Sequence, residues 1–213
     1  MDVWEAIKKR RSIRKFKPDL IPDKKIRLLI ESARLAPSGT NTQPWRFIVV
    51  KDEKTKKKLQ EAAHNQAYIK RAPVIIICCA DLSAFNEFSV RVDELIESGA
   101  LSARTRETFI PFLKNGMKTV TRKDLITAAT INVSIAVEHI VLRAVELGLG
   151  TCWVRWYDDN KVKEILEIPE FVEVMALLPL GIPDEDPDPR PRLSLDKLVY
   201  GEKYGESYIQ KRN

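Results

Sequence analysis

Residues 10–14 of this 213-residue chain read RRSIR and could bind a phosphate group. Three arginine side chains and one serine hydroxyl fall within this short run. A guanidinium offers N–H donors in a fixed fork that matches phosphate oxygens, and a hydroxyl adds a neutral donor. The cations Arg10, Arg11 and Arg14, together with Ser12, are therefore predicted to hold a small anionic group.

Two further segments suit the same kind of ligand. Residues 37–45, PSGTNTQPW, place Gly39 among hydroxyl and amide side chains. Backbone N–H groups can approach a ligand closely at a glycine, and the side chains can bond a polyol or the rim of a heterocycle. Residues 190–192, RPR, add two guanidinium groups near the C-terminus. Each segment alone is also typical of a solvated turn or tail, but the three together predict a binding site.

The sequence lacks the motifs of most other enzyme chemistries. It has no GxSxG turn, no GxxxxGK[ST] loop and no glycine-rich turn leading from a strand into a helix. The two histidines, His64 and His139, stand 75 positions apart, and the cysteines Cys78, Cys79 and Cys152 form no CxxC pair. We therefore expect reduced thiols packed in the core, no metal site and no catalytic side chain.

The net charge of +6 is concentrated at one end of the chain. Residues 1–27 hold ten lysines and arginines against four acidic residues, whereas residues 28–213 hold 26 of each. A basic nucleic-acid-binding module built on residues 8–27 is one hypothesis, and a site for a single phosphate is the other. No apolar stretch follows the N-terminal cations, and no window approaches about 18 uninterrupted apolar residues. This predicts a cytoplasmic protein that does not enter a membrane.

Helical and strand patterns position these polar segments. Asp2 and Glu5 resemble a helix-capping box, so that a short helix should run directly into RRSIR. A second helical pattern follows Pro22 and must stop at Pro37, and the strand WRFIVV comes directly after the polar turn. Both polar segments are thus predicted to follow the C-terminal ends of helices.

The rest of the chain alternates helices and strands and closes with a proline-rich segment. The predicted elements are a helix at 53–71, a buried strand at 74–79, a loop-and-helix insertion at 82–123, a central apolar helix at 124–147, a strand at 151–156, a helix at 160–166, a strand at 172–180 and an extended arm at 183–213. Such mixed order predicts one α+β domain with helices on both faces of a sheet.

Four segments in this order resemble the nitroreductase family of FMN-dependent oxidoreductases. They are RRSIRKF at 10–16, APSGTNTQPWRFIVV at 36–50, the apolar helix ending in LGLGTCWV at 147–154, and PRPRLSLDKLV at 189–199. Each segment is short, but their order and spacing cover the chain from residue 3 to about residue 205.

The resemblance implies a three-layer α/β/α sandwich around a mixed, largely antiparallel sheet. It also implies a homodimer with FMN at the subunit interface, in which a C-terminal arm, residues 183–213, is exchanged between subunits. Residues 1–213 would form one FMN-binding domain, and residues 82–123 would form a lid over the substrate.

The resemblance further implies which residues contact FMN. Four would bind its phosphate and ribityl chain and reach the ring edge: Arg10, Arg11, Ser12 and Arg14. Two would close on the phosphate through the arm: Arg190 and Arg192. Five would contact or lie near the flavin from the other subunit: Pro37, Ser38, Gly39, Asn41 and Gln43. Three would lie along the ring near its reactive nitrogen, mainly through backbone hydrogen bonds: Thr151, Cys152 and Trp153.

In this reading the redox chemistry belongs to the cofactor, which explains the missing catalytic side chains. NAD(P)H would deliver a hydride to the flavin and leave, and a nitroaromatic, a quinone or a related small acceptor would then take the electrons in a ping-pong scheme. Gly39 matches the dehalogenase and flavin-destroying branches of the family, so reductive dehalogenation and oxygen-dependent flavin chemistry stay open as alternatives. Arg155 and Trp156, which follow TCWV, would narrow or charge the substrate pocket.

Overall fold

The computed structural model describes residues 1–208, which form an α+β fold. Its helices are α1 (Val3–Lys9), α2 (Asp23–Arg34), α3 (Glu53–Ala62), α4 (Ala67–Arg71), α5 (Phe88–Glu97), α6 (Ala103–Met117), α7 (Arg122–Glu146) and α8 (Asp159–Ile165). Its strands are β1 (Trp45–Val50), β2 (Val74–Asp81), β3 (Gly150–Thr151) and β4 (Val172–Gly181). Short 3-10 helices lie at Gly39–Asn41, Leu82–Glu87 and Leu195–Lys197.

The strands form one sheet in the order β1-β2-β4-β3, and every neighbouring pair is antiparallel. The predicted strand at 151–156 is wrong in extent, because β3 holds two residues and only Val154 pairs with β4 again, at Leu177. Beyond that point a side chain replaces the backbone in contacting β4. The Nη1 atom of Arg155 donates to the carbonyl oxygens of Val174 and Met175 at 3.1 and 2.8 Å.

Alternate side chains of β2 and β4 build a hydrophobic core on each face of the sheet. On one face Ile76 and Leu178 pack with α2 and α7. On the other face Ile75 and Leu177 pack with α3, α4 and α8. The predicted three-layer sandwich, with β2 buried on both faces, is therefore confirmed.

The central helix α7 spans Arg122–Glu146, within two residues of the predicted 124–147 at each end. Thr121 and Asp124 form a reciprocal capping box at its N-terminus. Gly148, just past its C-terminus, takes φ +72°, a left-handed conformation that glycine adopts without strain. The helix is long and apolar enough to cross a membrane, but the buried core helix of a soluble protein can have the same length and composition. Residues such as Val133 and Ile140 are fully buried against the sheet, so α7 serves here as the core helix.

Two other predicted segments differ in detail. The single helix expected at 53–71 is interrupted, because His64 and Asn65 take left-handed φ values of 54° and 59° that an α-helix cannot continue through. The insertion at 82–123 holds more helix than predicted. Its helices α5 and α6 pack together, and α5 also contacts the 3-10 turn at Gly39–Asn41.

The C-terminal arm starts against the N-terminal segment of the same chain. The backbone N–H of Lys17 donates to the carbonyl oxygen of Ile182 at 2.9 Å, and that of Asp184 donates to the carbonyl of Lys15 at 3.0 Å. Farther along, the arm exposes large apolar side chains: Leu193, Leu195, Leu198, Tyr204 and Tyr208. The arm was predicted to reach residue 213, and its last five positions lie outside the described residues.

Candidate functional site

A cleft of about 530 Å³ lies between the end of α1 and the C-terminal arm. Six cationic side chains line it, against one acidic side chain, Asp188: Lys8, Arg10, Arg11, Arg14, Arg190 and Arg192. Ser12 adds its hydroxyl to the same wall. The fold thus brings RRSIR and RPR together across the length of the sequence. So many cations around one enclosed space attract an anion with several acceptor oxygens.

The arginines of the cleft are not equivalent. Arg11 donates from Nε to the carbonyl oxygen of Pro187 at 3.1 Å and from Nη1 to that of Lys8 at 2.6 Å. It therefore ties the arm to the last turn of α1. Within residues 1–208, by contrast, the Arg10 guanidinium makes no hydrogen bond or ion pair, so that all of its donors are available to a ligand.

The segment at 150–153 lies directly beside this wall. Ser12 and Thr151 form a parallel bridge, and the backbone N–H of Ile13 donates to the Thr151 carbonyl at 2.9 Å. A glycine is required at position 150 for this approach, because a Cβ there would lie 2.5 Å from Cγ1 of Ile13. Thr151 and Cys152 are buried as a result. Residues 10–14, predicted to bind the phosphate, and residues 151–153, predicted to lie along the flavin ring, are thus adjacent within one chain.

Tyr68 and Cys152 form an uncharged patch beside Arg14. The guanidinium carbon of Arg14 lies 5.8 Å from the centre of the Tyr68 ring. Burial raises the pKa of the Cys152 thiol, and the nearby Arg14 charge only partly opposes this. Burial also raises the pKa of the Tyr68 hydroxyl, which donates to Oε1 of Gln66 at 2.6 Å. Both groups are therefore neutral at physiological pH.

The polar turn at 37–43 is held by hydrogen bonds within the chain. Asn132 of α7 accepts at Oδ1 from the backbone N–H of Gly39 at 3.1 Å, and Ser38 accepts at Oγ from that of Gln43 at 3.0 Å. Thr40, Asn41 and Gln43 all take left-handed φ values, which are uncommon for residues with side chains: 54°, 54° and 49°. The turn thus has a strained backbone conformation that hydrogen bonds hold in place.

This turn does not line the arginine cleft. The two predicted halves of the site, residues 10–14 with 190–192 and residues 37–43, are separate surfaces in one chain. A Cβ added at Gly39 would meet no atom within 4 Å, so the space beside Gly39 itself is open.

The charged and aromatic residues of the insertion mostly contact one another. Arg91 pairs with Glu87 and Glu94, and Arg106 pairs with Asp93. Phe109 and Phe112 stack with their ring centres 6.4 Å apart.

Arg155 and Trp156 also have partners away from the cleft. Arg155 contacts β4 as described above, and Trp156 stacks on His64 with ring centres 4.6 Å apart. Neither residue lines the arginine cleft, and their effect on a substrate pocket stays a prediction.

Sequence reasoning missed several residues at the site. Lys8 lines the cleft but is not among the residues predicted to hold the anion. Tyr68, Asn132 and Glu185 each contact a motif residue that lies far away along the chain, namely Arg14, Gly39 and again Arg14. A buried polar residue in an otherwise apolar helix was the one available signal for Asn132.

The chain is similar to known proteins along nearly its whole length. The family model described as the nitroreductase family matches residues 7–182. An NADH dehydrogenase of Thermus thermophilus is 34% identical over 199 residues, which span 93% of this chain and 95% of that protein. An FMN reductase (NAD(P)H) of Bacillus subtilis is 28% identical over 205 residues, which span 95% of this chain and 74% of that protein.

The fold also matches a solved structure. A candidate nitroreductase of Exiguobacterium sibiricum, crystallised in complex with FMN, aligns with a TM-score of 0.84 at 25% identity. The alignment covers 95% of this chain and 98% of that one.

Proposed function

The chain belongs to the nitroreductase family, and on that premise we propose that it reduces a nitroaromatic, a quinone or a related small acceptor by a ping-pong mechanism. The predictions of FMN as cofactor and NAD(P)H as electron donor are confirmed by the relatives, which include an FMN reductase (NAD(P)H) and an FMN-bound structure. The chain is thus an NAD(P)H-dependent FMN oxidoreductase.

One observation carries the assignment of the cofactor site: the cleft with six cationic side chains against one acid. An FMN phosphate carries close to two negative charges near neutral pH and offers three acceptor oxygens, as phosphate monoesters do. The free guanidinium of Arg10 and the hydroxyl of Ser12 provide charged and neutral donors for it. We propose that Arg10, Arg14, Arg190 and Arg192 hold the phosphate and that Arg11 mainly fixes the arm.

The remaining contacts are proposed from adjacency. Thr151 lies directly beside Ser12 and Ile13, and we propose that Thr151, Cys152 and Trp153 run along the flavin ring. Pro37, Ser38, Gly39, Asn41 and Gln43 lie outside the cleft and are proposed to approach the flavin from a second copy of the chain. The neutral Cys152 and Tyr68 would give the ring an uncharged neighbour.

A homodimer is supported by apolar surface on the single chain. Trp4 and Ile7 on α1 and Ile131 on α7 are largely exposed, which is costly for a monomer. Within the described chain β1 pairs on one side only, and an open edge of this kind can receive an extended segment. We propose that residues 183–213 cross to the second copy beyond their anchored start, and that residues 1–213 form one domain with residues 82–123 as its lid.

When bound, FMN supplies the redox chemistry by accepting a hydride from NAD(P)H and passing electrons to the acceptor. The chain's own residues bind and orient. The arginines fix the phosphate end, and the 150–153 segment offers backbone groups. The backbone N–H groups of the 37–43 turn mostly bond within the chain, so the turn would offer polar side-chain groups such as the Ser38 hydroxyl. No acid or base from the chain is needed.

The proposal is tested with the purified protein. We expect it to be yellow, to lose its flavin absorbance when FMN is removed and to regain it on reconstitution. Stopped-flow reduction with NADH and with NADPH, followed by a screen of nitroaromatic, quinone and halogenated acceptors, would then fix the donor and separate the reductase from the dehalogenase alternative. A colourless protein that cannot be reconstituted with FMN would contradict the proposal and favour the nucleic-acid module.

Fractionation of cells tests the proposed cytoplasmic location.

A further inference from the structure

We infer that Glu185 is a positioning residue for the cofactor phosphate, because its carboxylate latches the arm onto the segment that carries the phosphate-binding arginines. The inference rests on the proposed function, since it deepens the role of the same cleft. Glu185 itself does not line the cleft, so that its action is indirect.

The latch is a single oxygen that accepts two backbone hydrogen bonds. Oε1 of Glu185 accepts from the N–H of Arg14 at 2.5 Å and from the N–H of Lys15 at 3.0 Å. These bonds join positions about 170 apart in the chain. Hydrogen bonds to an ionised acceptor are roughly twice as strong as neutral ones. The half-buried carboxylate therefore fixes the arm to the middle of the RRSIRKF segment.

The latch occupies a defined place between two other attachments. On its N-terminal side, Lys17 and Lys15 exchange backbone hydrogen bonds with Ile182 and Asp184. On its C-terminal side, Arg11 donates to the carbonyl of Pro187. Without Glu185 the start of the arm would be held by the first attachment and by the Arg11 guanidinium. From Pro187 onward, the arm lines the cleft.

The residues that follow the latch are the ones that close the cleft. Pro187, Asp188 and Pro189 line it, and Arg190 and Arg192 supply two of its cations. The prolines restrict the backbone between Glu185 and the two arginines. Fixing the arm at Glu185 therefore also restricts the positions of Arg190 and Arg192. Glu185 thereby sets where the two arm cations stand relative to Arg10 and Arg14.

Glu185 also occupies a position that a ligand anion could otherwise take. Two successive backbone N–H groups, such as those of Arg14 and Lys15, form a small anion-binding site. The carboxylate fills that site from within the chain and leaves the guanidinium groups for the phosphate. If Glu185 only competed with the ligand for these N–H groups, removing its carboxylate would raise the affinity for FMN instead of lowering it.

The test compares two flavins, because riboflavin lacks the phosphate and FMN has it. Apoprotein is prepared from the wild type, Glu185→Ala, Glu185→Gln and the matched control Asp186→Ala, whose side chain is exposed and outside the cleft. Binding is followed by the quenching of flavin fluorescence. Circular dichroism and thermal melting confirm that each variant folds.

We expect Glu185→Ala to weaken FMN binding about tenfold, as for the loss of a charged hydrogen-bond partner, and to leave riboflavin binding unchanged. Glu185→Gln should recover most of the FMN affinity, since its amide oxygen can still accept both N–H groups. Asp186→Ala should match the wild type with both flavins.

Two results would overturn the inference while leaving the proposed function intact. FMN affinity in Glu185→Ala that equals or exceeds that of the wild type would exclude a positioning role. An equal loss for FMN and riboflavin would show general damage to the fold near the site. If the wild-type protein itself binds no FMN, the proposed function fails, and this inference fails with it.

Discussion

Asn132 of the central helix α7 accepts a hydrogen bond at Oδ1 from the backbone N–H of Gly39, 93 positions earlier in the chain. Asn132 is only 8% exposed, in a helix face that is otherwise apolar. A buried polar side chain is retained at low cost only when it has a partner. The strained turn at 37–43 is thus seated on the core of the protein rather than free at its surface.

Replacing Asn132 tests whether this seat matters for the flavin. We expect Asn132→Ala to weaken the binding of FMN and riboflavin alike by about fivefold, because about 1 kcal/mol of hydrogen bonding to the turn is lost. Fluorescence titration of both flavins measures it. Thr127→Ala on the same helix, whose exposed hydroxyl bonds to the carbonyl of Lys123, is the control. Loss of FMN binding alone would place the effect in the phosphate cleft instead.

The cations of the cleft should contribute to the affinity for the phosphate of FMN and not to the affinity for the flavin ring. Arg10→Ala and Arg192→Ala should each weaken FMN binding by roughly 1.5–3 kcal/mol, the cost of a charged hydrogen-bond partner, and should leave riboflavin binding unchanged. Lys17→Ala removes an exposed cation outside the cleft and should have little effect. Both flavins are titrated at two salt concentrations, since screening reduces charge effects. Unchanged FMN affinity in both arginine variants would remove the assignment of the cleft.

Gly150 should tolerate no side chain. In Gly150→Ala the new Cβ would meet Cγ1 and Cβ of Ile13 at 2.5 and 2.8 Å, so β3 and the phosphate segment must move apart. Overpacking of this kind costs about 1–3 kcal/mol of unfolding free energy. Gly116→Ala in α6 meets no atom within 4 Å and is expected to be neutral or stabilising. Urea denaturation of both variants decides the point, and equal stabilities would contradict the close contact.

The buried thiols should make the fold less stable at alkaline pH. Burial raises the pKa of the Cys79 thiol from its ordinary 9.0 to about 12. Between these values the unfolded chain has lost this proton and the folded chain keeps it, so the free energy of unfolding falls as pH rises, by at most about 1.4 kcal/mol per pH unit. Below pH 9 the contribution is fully present.

The variant Cys79→Ala isolates this contribution. Its unfolding free energy should decline less steeply than that of the wild type when urea denaturation is repeated at several pH values from 8.5 to about 10.5, because the titrating thiol is gone. Other groups titrate equally in both proteins and cancel in the difference. Parallel declines would show that the thiol ionises as easily in the folded chain as in the unfolded one.

Sequence patterns predicted the elements whose signals are local. The apolar run at 74–79 predicted β2, and the apolar pattern at 124–147 predicted α7 to within two residues at each end. The predicted strand at 151–156 failed because Arg155 bonds to β4 through its side chain, which depends on where β4 lies. The break at His64 and Asn65 also lacked a local signal, because neither residue type forbids a helix.

The site divides in the same way. RRSIR and RPR could be predicted as anion-binding segments from their residue types, and the fold brings them to one cleft. The residues that hold those segments, such as Glu185 and Asn132, act through contacts between distant parts of the chain. Glu185 is ordinary for a charged tail and gave no signal, whereas Asn132 gave only the weak signal of a polar residue within an apolar helix.

The anchored arm links two equilibria that are usually measured separately. Arg190 and Arg192 lie on the same segment whose start is fixed to residues 14–17, so an anion in the cleft and an ordered arm stabilise each other. Linkage is reciprocal: whatever free energy an ordered arm adds to anion affinity, the anion returns to the order of the arm. Protease cleavage within residues 188–208 should accordingly slow as the anion concentration rises, with a midpoint that reports the affinity of the cleft.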